Sequence, residues 1–493
     1  MKTSRTSAPD FVQLVENLRA QKVEREWLEF KTNLSDPKEI GEYVSALANA
    51  AALCGEPRAY LVWGIDDVTH DVIGTTFHWE KTKKGNQALQ PWLTSLLNTD
   101  PGIFFREGDV QGKHVVMLVI PAASHHPVRF SGVDYIRVGS HKKKMSDHPA
   151  QTKQLYKVLD ENPFEFQSAE TGLTEVQVLA MLDYGVYFRL QGAPIPESPP
   201  EVLAALESDM IILQDESGFY DITNLGALLF AKRLRDFESL SRKAPRVIKY
   251  KGNNKVFAER EQEGGLGYAC GFEGLIQYID NLLPRNEIIG EALRKAESLY
   301  PPLVIREVIA NALIHQDFSV SGAGPMIEIY DNRMTVTNPG VPLVNPDRFV
   351  DAPPKSRNEK LAKMMRRCHL CEERGSGWDR IAFEIELAQL PAPLVRVVEG
   401  QTEVTLFAHR QFEDMDREDK VRATYLHACL RYVSGEKLTN SSVRDRFGLG
   451  PKSSSAASRI IAETVDAGLI APYDPTAGKK GMQYVPIWAA AQE

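Results

Sequence analysis

The chain has 493 residues, 43% hydrophobic and 25% charged, with five cysteines and a formal net charge of −8. That length exceeds what one hydrophobic core supports and predicts about two to four domains of ordinary globular composition. No apolar run approaches the ~18 residues of a membrane span, and no signal core opens the chain, so a bilayer or a disulfide framework is excluded and a reducing cytoplasm is expected.

The first predicted element of interest is a strand over 26–31 in "VEREWLEFKTN", with Trp27, Glu29 and Lys31 on one face. Glu29 and Lys31 form an E-x-K pair of the kind metal-dependent nucleases use, the carboxylate holding Mg²⁺ or Mn²⁺ and the lysine offsetting phosphate charge. By itself the pair reads equally as a solvated strand edge. Glu24 needs a bend to join it, and Asp66 follows the strand "YLVWGI". A helix is predicted in "YVSALANAAAL" and strands in "RAYLVWGID", "KHVVMLVIPA" and "DYIRVGS". The basic run His141 to Lys144, with Lys142, Lys143 and Lys144, suits phosphate contact or a solvated turn.

This order, "ExxxxEFK", helix, "YLVWGIDD…VIGT", "DYIRVGS", closely resembles the Schlafen-type, AlbA-like domain over about residues 10 to 150. The resemblance implies a nucleic-acid domain over 1–150. In the RNA-cleaving members two glutamates and a downstream aspartate form the active site, which implies Glu24, Glu29 and Asp66 here, with Lys31 beside them. Other members are presumed DNA-binding domains.

A helical stretch "LTEVQVLAMLDYGVYF", a loop "GAPIPESPP" and two strands with a helix in "IILQDESGFYDITNLGALLFA" come next, then a mixed α/β block from Arg246 to about residue 410. Within it "REVIANALIHQDFS" places Glu307, Asn311 and His315 at four-residue spacing on a predicted helix, a stripe that is either a polar face or a site. Downstream, "MIEIYDNRMTVTNPG" reads as a hairpin ending in a Pro-Gly break, and "CEERGSGWDRI" sets Gly375 and Gly377 before a helix, where backbone N–H groups can meet phosphate.

The sequence ExxxNxxxH, hairpin, NPG, G-S-G resembles the GHKL ATP-binding fold. More narrowly, residues 220 to 410 look like the ATPase-like region of bacterial proteins labelled RecG C-terminal-like. The resemblance implies ATP as cofactor, Asn311 holding Mg²⁺, Glu307 orienting or deprotonating water, Gly375 and Gly377 under the phosphates, and His315, Asn338 and Gly340 lining the nucleotide. Asn338 stands where the family reads adenine with an aspartate, which weakens that contact and makes hydrolysis weak or absent the expectation. No Walker-type phosphate loop is present. "CHLC" at 368–371 lacks a second ligand pair and reads as structural thiols.

The acidic-basic "FEDMDREDK" reads as a linker into a basic tail: Lys420 to Gly481 holds ten Lys and Arg against five Asp and Glu, a local +5 that leaves −13 on the rest. Residues 418 to 490 carry the pattern of a winged helix-turn-helix, with Thr439 as an N-cap and turns at Gly448 and Gly450. Its recognition helix would present Ser453, Ser454, Ser455 and Arg459, and its wing Lys479 and Lys480.

The expectation is therefore a multidomain α/β and α+β protein: an AlbA-like domain at 1–150, a connector plus GHKL-like sandwich at 151–412, and a winged helix at 413–493. The leading reading is a homo-oligomeric, nucleotide-gated, Mg- or Mn-dependent nuclease acting on RNA or single strands, in a setting such as phage defence. The alternative is a DNA-binding, ATP-binding transcription regulator without catalysis.

Overall fold

In the computed structural model the described residues run from 11 to 490, apart from 22–24, 99–101, 125, 140, 161–162, 216–217, 290–293, 321, 354, 372–376, 477 and 479–480. They form two compact units, one of residues 1–184 with 196–227, the other of 185–195 with 228–493.

The first unit begins with α1 (Phe11–Arg19), β1 (Leu28–Lys31), α2 (Pro37–Cys54) and β2 (Arg58–Trp63). Strands β1 and β2 pair in parallel with α2 as the crossover, and β3 (Phe104–Val110) and β4 (Lys113–Pro121) extend the sheet antiparallel in the order β1-β2-β4-β3. All six residues of β2 are buried, as an apolar strand covered on both faces requires. Asp36 caps α2 through the Lys38 N–H, and Gly55, in the left-handed region, closes it on the Ala51 and Ala52 carbonyls. The small residues of α2 let it lie close: a Cβ on Gly41 would overlap the Phe130 ring. Buried Asn49 ties the helix to the Val128 N–H (2.8 Å) and the Tyr135 carbonyl (2.8 Å).

Strand β5 (Val133–Val138) pairs with β6 (His141–Lys144), so the basic run is a strand in register with Arg137 rather than a free turn. The predicted helix across 173–188 is two helices, Glu175–Met181 and Tyr184–Leu190, because Leu182 turns extended and buries its side chain completely. Helical periodicity there yields to core packing.

The second unit is built on a six-stranded mixed sheet. Strand β7 (Arg246–Tyr250) lies between β8 (Ala258–Glu263) and its parallel partner β9 (Met326–Ile329). Antiparallel β10 (Arg333–Pro339), β12 (Gln401–Phe407) and β11 (Leu394–Val398) follow across the sheet. Helix α3 (Pro302–Ile314) packs on β10 and on α5 (Gly377–Leu387), while α4 (Glu359–Arg367) follows the loop after β10. The hairpin predicted around Asp331 and Asn332 is β9–β10.

Three helices, α6 (Arg417–Val433), α7 (Asn440–Arg446) and α8 (Ser454–Asp466), and a short antiparallel pair, β13 (Ile470–Pro472) with β14 (Tyr484–Pro486), complete the unit. Thr439 caps α7 reciprocally with Ser442, as the sequence predicts. The stretch expected as a linker is not one. Asp416 caps α6, and buried Asp419 is held by Arg410 (2.7 Å) and by Arg422. Arg446, also buried, reaches the Leu390 carbonyl at 2.7 Å, so the helical tail is docked on the sheet's helix layer. Unpaired, each of these charges would be costly in the interior, which is why they come with partners.

Candidate functional site

A cavity of about 460 Å³ opens in the second unit between α3, α4 and the sheet strands β10 and β12. The stripe read from the sequence lines it: Glu307 and Asn311 project from the last two turns of α3, and His315 caps that helix. Gly377, at the start of α5, comes so close that a Cβ there would stand 3.0 Å from Glu307 Oε2 and 3.7 Å from Asn311 Nδ2. Glycine is therefore what allows acid, amide and helix N-terminus to share one wall.

Electrostatics distinguish the three. Burial raises the Glu307 carboxyl above its ordinary range, opposed by Arg380 and Arg306. Burial, aided by the Arg357 charge, pushes His315 down to about 4, so its imidazole is neutral at pH 7. Cys371, on the same wall, is pushed up to about 12 by burial and then by Glu307, so it stays a thiol.

The far side of the cavity supplies cations. Lys360, Lys363 and Arg366, at three-residue spacing on α4, line it together with Lys355 and Arg357. Sequence reasoning missed this basic face, although the spacing of cations in "RNEKLAKMMRR" carries it. Asn338 lies on β10 with its Nδ2 directed to the His315 carbonyl (3.4 Å) and the Pro339 carbonyl (3.2 Å), so part of its amide is spent inside the fold. Gly340 (φ +99°) could not carry a side chain, since a Cβ would meet Asp317 Cβ at 2.8 Å. Asn358, missed by sequence reasoning, clamps the C-terminus of α3 through the Ile314 (2.7 Å) and Gln316 (2.8 Å) carbonyls.

A pH dependence follows for His315. Its folded pKa lies below the unfolded 6.5, so the unfolded chain binds more protons between the two. The stabilisation is complete above about pH 6.5 and is lost as pH falls toward 4, by roughly 3 kcal/mol in all. Urea unfolding of the second unit at pH 7 and pH 5 should show the loss, and His315→Gln should remove that part of it.

In the first unit, Glu29 on β1 is buried and both carboxylate oxygens are engaged, one by Lys31 Nζ and the other by Arg137 Nη1. Arg137 pairs in register with Lys142, whose Nζ sits 2.7 Å from Glu42 and 4.5 Å from the Tyr43 ring centroid. Lys143 and Lys144 are exposed. Asp66 closes its own turn, Oδ1 accepting from Val68 N–H (3.0 Å), Thr69 N–H (2.8 Å) and Thr69 Oγ1 (3.2 Å). The Thr69 bond first, then that of Val68, holds its carboxyl below the usual range. Of the three carboxylates the resemblance implies, Glu29 is engaged by two cations and Asp66 Oδ1 by its own turn, while Glu24 lies outside the described residues. Arg137, the decisive partner, was missed; "DYIRVGS" shows only a strand, and nothing local marks its arginine as buried.

In the tail, Ser454 and Ser458 bond to Asn440, and Arg459 lies exposed 3.9 Å from Glu463. Glu24, Gly375, Lys479 and Lys480 lie outside the described residues.

A four-stranded sheet built on a parallel β-α-β unit, with a basic hairpin, and a six-stranded mixed sheet whose cavity combines acid, amide, glycine and a row of cations, define an AlbA-like domain and an ATPase-type domain. The family comparisons name the same two. Residues 24–146 match the Schlafen AlbA_2 family, and residues 322–406 match the family described as "Putative ATP-dependent DNA helicase recG C-terminal", HATPase_c_4. No curated protein matches the chain. Among solved structures, the DIP2311 protein from Corynebacterium diphtheriae is similar at 18% identity over 98% of this chain and 97% of that one, with a TM-score of 0.42. Among the described residues no helix is long and apolar enough to cross a membrane.

Proposed function

We propose that this chain is a nucleotide-responsive nucleic-acid-binding protein whose first unit binds without cleaving. The observation that carries the nucleotide half is the approach of Gly377 to Glu307 and Asn311, facing the Lys360, Lys363 and Arg366 row. That cradle, which a Cβ would fill, fits a nucleoside triphosphate with its magnesium ion. Asn311 would offer an amide oxygen to Mg²⁺, whose charge would offset that of the phosphates. Glu307, its pKa raised, is suited to accept a proton from water, and the neutral His315 leaves Arg357 as the cation at that end of the cavity. ATP is the nucleotide this reading favours, with slow or no turnover; Asn338 turns its amide N–H to backbone carbonyls, which leaves its Oδ1 as the acceptor for an adenine amino group.

For nucleic acid, exposed Lys143 and Lys144, on opposite faces of β6, supply one set of phosphate contacts. The helical tail supplies a second: its three helices and strand pair have the element order of a winged helix, with Ser453, Ser454, Ser455 and Arg459 at the start of α8 and Lys479 and Lys480 beyond it. This supports the regulator reading over the nuclease reading, because Glu29 is held by two cations and Asp66 Oδ1 by its own turn.

Two measurements test it. Titrating the full chain with ATP in Mg²⁺ should give saturable binding; indifference to every purine nucleotide would end the nucleotide half. Lys143→Ala with Lys144→Ala should reduce the slope of log affinity against log salt on duplex DNA by about 0.9 for each phosphate that the variant no longer neutralises. An unchanged slope would remove these lysines from the interface. Cleavage of RNA or DNA by purified chain with Mn²⁺ would overturn the non-cleaving assignment.

A further inference from the structure

Strands β3 and β4 carry a cluster that neither the nucleotide cavity nor the basic strand uses. Asp109 is directly opposite His114 across the ladder and Glu107 opposite Val116, which makes Glu107 and His114 diagonal neighbours on one face of the pair. His78 arrives from the loop after β2, and its ring centroid lies 5.2 Å from that of His114, with the rings tilted by 32°. One ligand atom from each of His78, Glu107 and His114 falls within 4.8 Å of the others.

The loop that presents His78 is held firmly on both sides. Phe77 stacks on Trp63 at 4.6 Å and Trp79 stacks on Phe105 at 5.0 Å, so the residues before and after the histidine are anchored in the core. The Thr75 N–H donates to the His114 carbonyl (2.9 Å), and Asn33 Oδ1 accepts from the Thr76 N–H (2.8 Å). The His78 carbonyl in turn accepts from the Thr82 N–H at 3.1 Å. Such a loop can hold a ligand geometry without ordering anything first.

His114 Nε2 is screened from solvent and has no hydrogen-bond partner. The nearest carboxylate oxygen, Glu107 Oε2, stands 3.8 Å away, too far for a hydrogen bond. Two donors on one tetrahedral zinc ion, with bonds of about 2.0–2.1 Å, sit roughly 3.4 Å apart. The observed separation is therefore close to that of two ligands sharing an ion.

We propose that His78, Glu107 and His114 form a transition-metal site for Zn²⁺ or a similar borderline cation. Two imidazoles select such ions over Mg²⁺ and Ca²⁺, which prefer oxygen. Three protein donors leave a fourth position for water or an oxygen of a bound ligand, the arrangement of an open rather than a closed zinc site. The site is independent of the nucleotide reading, since none of its residues lines that cavity.

The test uses the full chain, stripped with chelator and dialysed. Titration with Co²⁺ should produce the visible d–d absorption of a tetrahedral or five-coordinate ion at one equivalent, displaced by Zn²⁺ and not by Mg²⁺. His78→Ala, at an exposed position that leaves the fold intact, should weaken Zn²⁺ binding by more than the roughly 10–100-fold that loss of an outer-shell partner costs. Glu107→Gln should weaken it less. Cys368→Ser with Cys371→Ser should leave the absorption unchanged, because those thiols are not the ligands. No cobalt spectrum in the wild-type chain, an unaltered spectrum in His78→Ala, or loss of the spectrum in the cysteine variant would each overturn the proposal.

Discussion

Glu29→Ala should lower the stability of the first unit by up to about 3–5 kcal/mol, whatever it does to chemistry, because it removes a carboxylate that pairs with the buried Arg137 guanidinium. The Glu29 side chain accepts from Arg137 and from Lys31, and the Arg137 side chain has no solvent exposure with which to compensate. Urea unfolding of the full chain, followed by a probe in the first unit, gives the measurement. Glu29→Gln should cost less, since the amide oxygen still accepts one bond. Pairing Glu29→Leu with Arg137→Met should recover much of the loss, because removing both charges also removes their desolvation cost. If Glu29→Ala unfolds like the wild type yet abolishes a nucleic-acid cleavage that the wild type performs, the carboxylate is a metal ligand and its ion pairs are incidental.

Asn311→Ala should weaken Mg-ATP binding tenfold or more, about 1.4 kcal/mol or greater, with little change in stability. Asn311 is only half-buried at the cavity wall, so its truncation leaves no large void. Gly377→Ala should match it by a different route: its new methyl would stand 3.0 Å from Glu307 Oε2 and narrow the space between α3 and α5. Glu307→Gln should bind nucleotide nearly as well while slowing any turnover, since it loses the proton acceptor but keeps the shape. Calorimetry of the three variants beside the wild type separates these effects. Equal affinity in Asn311→Ala and the wild type would place the nucleotide elsewhere.

Much of the fold was legible because period and punctuation are local. The buried strand at 58–63, the hairpin at 326–339, the Thr439 cap and the glutamate-asparagine-histidine stripe all lie where spacing, turn residues and caps place them. The two domain likenesses rested on such ordered motifs and match the families found over 24–146 and 322–406. The failures share a different cause. "FEDMDREDK" looked like a linker because its charges looked solvated, whereas Asp419 is buried between two arginines supplied at positions 410 and 422. The 173–188 helix looked continuous because periodicity carries no information about where Leu182 meets the core.

Sequence by itself determined which residues could do chemistry: the stripe on one helix face, the glycine before the next helix, the E-x-K pair and the basic strand. Tertiary structure decided what each of them faces. It brought Gly377 against Glu307 across some seventy residues of chain, which turned the stripe into one wall of a cavity. It set Arg137 against Glu29 across 108 residues, which gave the E-x-K carboxylate a buried cation in addition to Lys31. The physical reason is that a side chain's protonation, charge and freedom to take a ligand depend on burial and on partners within a few ångströms, and those partners are chosen by the fold, not by the neighbouring residues in the chain.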